Sequence, residues 1–194
     1  MPTQNKRLES RLQIAEALDE LGWNPSMWPN YTFRNLCDCV ENDSAILERR
    51  DRYLHMILDI AVAYVRFNLA GRMVWEVREI LQYFRKSGKI LRRPNFDGIG
   101  ETMKRQESVG LAVDRLLKEE LGFPSHGYEI EPLEEQILGP LDSLKWPGGL
   151  VQVTFRRHRF ICRAHTGLFR PVYIESQTRK IIVFAPVPTL ASRT

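Results

Sequence analysis

The stretch Gly98–Phe123, GIGETMKRQESVGLAVDRLLKEELGF, constrains this chain more than any other part of it. A glycine-containing loop leads through polar residues into an apolar-periodic run that stops at Gly122. Gly122 tolerates the left-handed backbone that ends a helix. The spacing predicts a helix over 108–121, with Leu111, Ala112, Arg115 and Glu119 on neighbouring turns. Arg115 and Glu119 are one i,i+4 step apart and share a face. Glu107 stands at the helix start, and Glu120 follows Glu119. Glu107, Glu119 and Glu120 are hard oxygen ligands of the kind that suits Mg2+ or Mn2+. Such an ion bridges diphosphate oxygens and activates water. The loop at Gly98 and Gly100 and the N–H groups of the helix start favour a phosphate. The plain alternative is a solvated helix face carrying an ordinary ion pair.

Taken in register, the same residues resemble the Nudix box, the signature of hydrolases that cut diphosphates linked to another moiety. That signature is a glycine, five residues, Glu, seven residues, then Arg-Glu-aliphatic-x-Glu-Glu-x-Gly-aliphatic. Glu107 falls on the first glutamate and Arg115 on the arginine, without a gap. Leu117 takes the aliphatic place, Glu119 and Glu120 the paired glutamates, and Gly122 and Phe123 the close. Two positions of the box at 101–123 depart from it. Glu101 stands where the glycine belongs, with Gly100 just before it, and Leu116 stands where the second glutamate belongs. That glutamate is a metal ligand in typical members, so Leu116 takes one carboxylate from the site. A branch acting on GDP-mannose resembles this chain in having Arg-Leu there. The resemblance spans roughly residues 74–188. It implies a Nudix-like α/β/α sandwich with a mixed sheet and metal-dependent hydrolysis of a nucleotide-linked diphosphate. In that reading Glu107, Glu119 and Glu120 hold Mg2+ or Mn2+, and Arg115 orients a glutamate. Glu175, at a strand end, supplies an extra acid or base, ahead of Glu134, Glu135, His126 and His158. Arg92, Arg93, Gly98 and Gly100 bind substrate.

The rest of the chain reads as α/β (α+β), with a helical N-terminal region over 1–72 and the Nudix-like domain over 73–190. Leu8, Leu12, Ile14, Ala15, Leu18 and Leu21 recur at helical spacing and Gly22 stops them. Asp43 or Ser44 caps a second, long helix to about Ala70, ended by Gly71, with Leu47, Leu54, Leu58, Ala61, Val62 and Val65 along one face. Strands pair over 80–84 and 89–92 around Ser87-Gly88-Lys89, and 94–106 is loop. The acidic segment 127–139 has no clear period. After the turn Trp146-Pro147-Gly148-Gly149, strands follow over 150–155, 159–163, 173–175 and 180–185, the last pair joined near Gln177–Thr178.

Composition narrows the function classes. A net charge of +4 from 28 basic and 24 acidic residues suits a phosphate-bearing partner without demanding nucleic acid. Arg156-Arg157-His158-Arg159 reads first as an exposed strand edge or turn and only second as a nucleic-acid contact. Three cysteines fit a reducing compartment. Zinc held by Cys37, Cys39, Cys162 and His165 lacks the paired spacing of a zinc motif. Residues 1–12 carry no secretory apolar core, and Leu54–Ala70 is broken by Asp59 and Arg66. The expectation is a cytoplasmic protein without a membrane span, acting on a nucleotide-diphosphate small molecule. Residues 1–72 then cover the substrate, join a homodimer or hold a protein partner. The competing function is a catalytically impaired Nudix-fold module that binds a nucleotide, RNA or protein. Trp23, Trp28, Tyr31 and Phe33 are core around a loop in preference to a base-stacking platform.

Overall fold

A computed structural model describes residues 6–28, 30–69, 73–84, 88–94, 98–143, 146, 149–175 and 180–188. The side chains of residues 30, 31, 73, 84, 93, 94 and 188 fall outside that description. So do the expected stop at Gly71, Ser87 of the hairpin turn, Pro147-Gly148 and the turn at 177–178. Among the described residues strand accounts for 49% and helix for 25%, so sheet dominates. The chain divides into two compact units, each assembled from separate stretches.

The first unit comprises 1–60, 102–107 and 135–157. It holds β1 (Lys6–Leu8), α1 (Arg11–Glu20), α2 (Asn30–Glu41), β2 (Ile46–Arg49) and β8 (Gln136–Asp142). It also takes the first halves of β3 (Leu54–Asn68) and β9 (Val151–Ala164). Ser10 caps α1 by accepting from the Gln13 N–H, so the helix starts after Leu8, which opens the expected period and lies in β1. Strand β2 pairs antiparallel with β1 and with β3, Ile46 lying opposite Ile57 and Arg49 opposite Leu54. The core joins Leu8, Ile14, Leu18, Leu36, Leu47 and Met56. Trp28 belongs to that core, with Trp23 and Phe33 packed against it; the Tyr31 side chain lies outside the described residues.

The long helix expected from 43 to 70 is therefore corrected to β2 and β3. Along β3 Leu54 and Met56 are buried at a spacing of two, and Ala61, Ala63, Val65 and Phe67 are buried at the same spacing on the opposite parity. Val62 is buried on the other face, so that part of the strand is covered on both sides. A run apolar at nearly every position satisfies a helical template as readily as a strand. β-branched Ile57, Ile60, Val62 and Val65 tip the balance to strand.

The second unit comprises 61–101, 108–134 and 158–194. It holds β4 (Met73–Phe84), β5 (Lys89–Pro94), β6 (Ile99–Thr102, but for Thr102), α3 (Val109–Leu121) and β7 (Tyr128–Pro132). It also holds β10 (Val172–Glu175), β11 (Lys180–Pro188) and the second halves of β3 and β9. Strand β4 pairs antiparallel with β3, β5 and β11, and β11 pairs with β10. Phe67 forms the hub of an aromatic core, edge-on to Phe123, Phe169 and Phe184 at 5.9, 5.2 and 5.3 Å. Three further expectations are corrected. Within the expected loop 94–106 lies strand β6; the ambiguous acidic segment resolves into β7 and β8; and 150–163 is one strand, β9, through the basic run.

Candidate functional site

Helix α3 forms where the sequence places it. The Ser108 Oγ accepts from the Leu111 N–H at 3.3 Å. Gly122 takes φ 69°, its N–H donating to the Lys118 carbonyl at 3.0 Å. The helix buries Ala112, Val113, Leu116, Leu117, Glu120 and Leu121. Their spacing is that of a single face, and Glu120 stands on it one i,i+4 step after Leu116. A carboxylate thus continues an apolar stripe, which is costly unless it is paired.

Its partner is Lys180, whose Nζ donates to Glu120 Oε1. Glu120 is 5% exposed, and its Oε2 is buried without a hydrogen-bond partner. Lys180 opens β11 and lies opposite Glu175, the last residue of β10, in the ladder. Glu175 is itself buried, at 7% exposure. Burial pushes the Glu120 carboxyl above the ordinary range, the Lys180 ammonium pulls it back, and Glu175 and Glu101 push it up again. On the neighbouring face Arg115 Nη1 stands 3.6 Å from Glu119 Oε2 and 3.8 Å from Glu101 Oε1. In this unit, then, Glu101, Glu119, Glu120 and Glu175 face Arg115 and Lys180.

A set of three side chains in place to hold a metal ion is not formed among the described His, Cys, Asp and Glu residues. What they offer an ion is one open buried oxygen, on Glu120. Leu116 is 0% exposed, so the departure from the box is a core residue and not a vacant ligand position. Glu107 belongs to the first unit. Its carboxylate accepts from the Lys104 N–H at 3.0 Å, closing the loop before α3, and it lines a cavity of about 160 Å3 with Asp43, Asp59, Lys104 and Arg105. Asp43 and Gln106, on the same cavity, both hold positive φ, at 55° and 68°.

Of the expected substrate residues, Arg92 is exposed and donates to Glu79 across the β4–β5 ladder. The Arg93 side chain lies outside the described residues. Gly98 has a structural reason to be glycine. At φ 132° a Cβ there would meet the Ala63 carbonyl oxygen at 2.9 Å. Gly100 lies within β6. The basic run is engaged along β9. Arg156 donates to Asp59 at 2.6 Å, Arg157 to Gln136 at 3.0 Å, and Arg159 to the Tyr64 hydroxyl at 3.1 Å. The three cysteines are free thiols, and burial pushes Cys162 up to about 12. The second unit also carries a cavity of about 500 Å3 lined by Arg66, Asn68, Val74, Arg163, Ala164, His165 and Thr166. None of the helices is long and apolar enough to cross a membrane, among the described residues.

Glu101 and Lys180 are the residues that sequence reasoning passed over. Glu101 stood only as a misfit for glycine. Lys180 was the first residue of a strand, and its signal was the hairpin register that sets it opposite Glu175.

No family model matches this chain, and no curated protein matches its sequence. Among solved structures it is similar to a Caenorhabditis elegans (C. elegans) Ap4A hydrolase at 11% identity, over 69% of this chain and 81% of that one, with a TM-score of 0.40. An ADP compounds hydrolase is similar at 14% identity over 76% and 70%, TM-score 0.38. A Nudix hydrolase from M. smegmatis, RenU, is similar at 14% over 65% and 70%, TM-score 0.35.

Proposed function

We propose that the α3 carboxylates serve a Nudix-type hydrolase acting on a nucleotide-linked diphosphate with a divalent ion. The observation that supports it most is Glu120, a 5% exposed carboxylate with one unpartnered oxygen, set among further carboxylates on the helix that resembles the box. Perturbed acids cluster at functional sites. Mg2+ is commonly held by one or two carboxylates together with substrate phosphates, and not by an all-protein cage. A site with one open oxygen and no preformed trio suits an ion that arrives with the diphosphate. Glu120 and Glu119 would hold that ion. Bound there, it would offset charge that develops on the phosphate oxygens.

The chain's own residues do the rest. Arg115 tethers Glu119 and Glu101, so that two carboxylates are held by one guanidinium. Glu175, buried at the end of β10, takes a proton from the attacking water in this reading. The 500 Å3 cavity has room for a nucleoside, and its Arg66, Arg163 and Asn68 present donors to one.

The test is turnover of a panel of nucleotide sugars, dinucleoside polyphosphates, NADH and ADP-ribose with Mg2+ or Mn2+. Metal-dependent phosphate products that vanish in Glu119→Gln and Glu120→Gln support the reading. One observation favours a second reading, a nucleotide-binding module without turnover: Glu119 and Glu120 are both in internal ion pairs, and Leu116 lies in the core. Nucleotide binding with no product from any substrate of the panel would favour it.

A further inference from the structure

Lys180 lies outside the stretch 101–123 and donates to Glu120. A buried carboxylate on an apolar face needs a cation, and in this chain a covalent one is supplied. The ammonium comes from the first residue of β11, whose backbone is held in register opposite Glu175, and its head reaches Glu120. Its side chain is 19% exposed, enough for the head to leave without unfolding the strand. The pairing is one-sided. Oε1 of Glu120 is taken, while Oε2 is buried and unpartnered. One ammonium has three donors but only a single positive charge, and the carboxylates of Glu101 and Glu175 also act on Glu120.

We propose that Lys180 is a resident counter-ion that holds the place of a divalent cation on Glu120 and keeps free metal out of the unliganded protein. An ammonium and a divalent ion on one buried carboxylate repel each other, which weakens the binding of the second cation. A divalent ion therefore binds weakly while the ammonium is on Glu120. Removing the ammonium leaves both Glu120 oxygens without a cation, with the Glu101 and Glu175 charges still acting on them. The inference deepens the reading above in one respect, since a diphosphate is the anion that would draw Lys180 off Glu120. The counter-ion role itself is independent of turnover.

The experiment titrates Mn2+ alone into the whole protein, following the free Mn2+ signal by electron paramagnetic resonance. Lys180→Met is expected to bind one Mn2+ at least tenfold more tightly than the wild type, and Lys180→Arg to match the wild type. Adding Glu120→Gln to Lys180→Met should abolish the gain. Lys180→Gln, which keeps a hydrogen-bond donor to Glu120 without the charge, is measured alongside so that a poorly folded methionine variant does not decide the result. Equal Mn2+ affinity in the wild type and both uncharged variants overturns the proposal. A gain that survives Glu120→Gln overturns it as well. Absence of turnover in the substrate panel bears on the hydrolase reading and leaves these Mn2+ affinities unaffected.

Discussion

Replacing Lys180 by methionine keeps most of the side-chain volume and deletes one charge. In the native fold Lys180 and Glu120 are 19% and 4% exposed, so a carboxylate is left almost dry and unpaired. Breaking a buried pair from one side costs about 3–5 kcal/mol. Water reaches part of the lysine, so the lower end applies, about 3 kcal/mol. For a chain of 194 residues, each 1 kcal/mol lowers Tm by about 2–4 °C. The loss should therefore be roughly 6–12 °C at pH 8. It should shrink in acid. Burial already raises Glu120 in the folded state above its ordinary value of 4.5. The native state thus holds that proton more tightly than the unfolded one. The resulting stabilisation is full below the unfolded value and is lost as pH rises through the raised folded value. Without the ammonium the folded value rises further, so the variant is penalised more steeply toward alkaline pH. Thermal melts at pH 5 and pH 8 read this directly. A second change, Glu120→Gln, should recover most of the loss. A loss at pH 8 below about 1 kcal/mol, or one that is the same at pH 5, would refute the reasoning.

Leu116→Glu restores the residue that the box usually carries, yet Leu116 is fully buried. We expect a loss of several kcal/mol in urea unfolding and no gain in metal binding, because the new carboxylate enters the core. Ser108→Ala removes the cap of α3 and should cost about 1 kcal/mol in the same assay. Gly98→Ala sets a Cβ 2.9 Å from the Ala63 carbonyl oxygen at φ 132°, and should cost about 1–3 kcal/mol. If Gly98 serves substrate alone, that variant will instead unfold like the wild type and lose only affinity.

What was legible in the sequence follows from how local each signal is. Helix α3 was readable because its cap, its period and its stop lie within one stretch, Ser108 to Gly122. The β4–β5 hairpin and the β10–β11 pair were readable from short apolar runs flanking turn residues. Residues 54–68 misled because the run from Met56 to Val65 is apolar or aromatic at every position but Asp59, and period alone does not separate such a strand from a buried helix. The basic run misled differently. Arg156, Arg157 and Arg159 find their partners far along the chain, at Asp59, Gln136 and Tyr64, so they sit within a strand and do not break it. In the candidate site, Arg115 and Glu119 were paired by spacing alone. The burial of Glu120 was implicit in its step from Leu116. Its partner was not, because Lys180 reaches it from 60 residues away. Glu101 looked like a defect in a signature until Arg115 was found beside it.

The central claim is that ion and diphosphate enter the α3 site together. Calorimetric titration of a non-hydrolysable nucleoside diphosphate analogue, with and without Mg2+, tests it most directly. Mg2+ is expected to tighten the analogue, and the analogue Mg2+, by one shared factor of about tenfold or more, or at least about 1.4 kcal/mol. Glu120→Gln should erase that factor. Independent binding of the two, or coupling unchanged in Glu120→Gln, would contradict it.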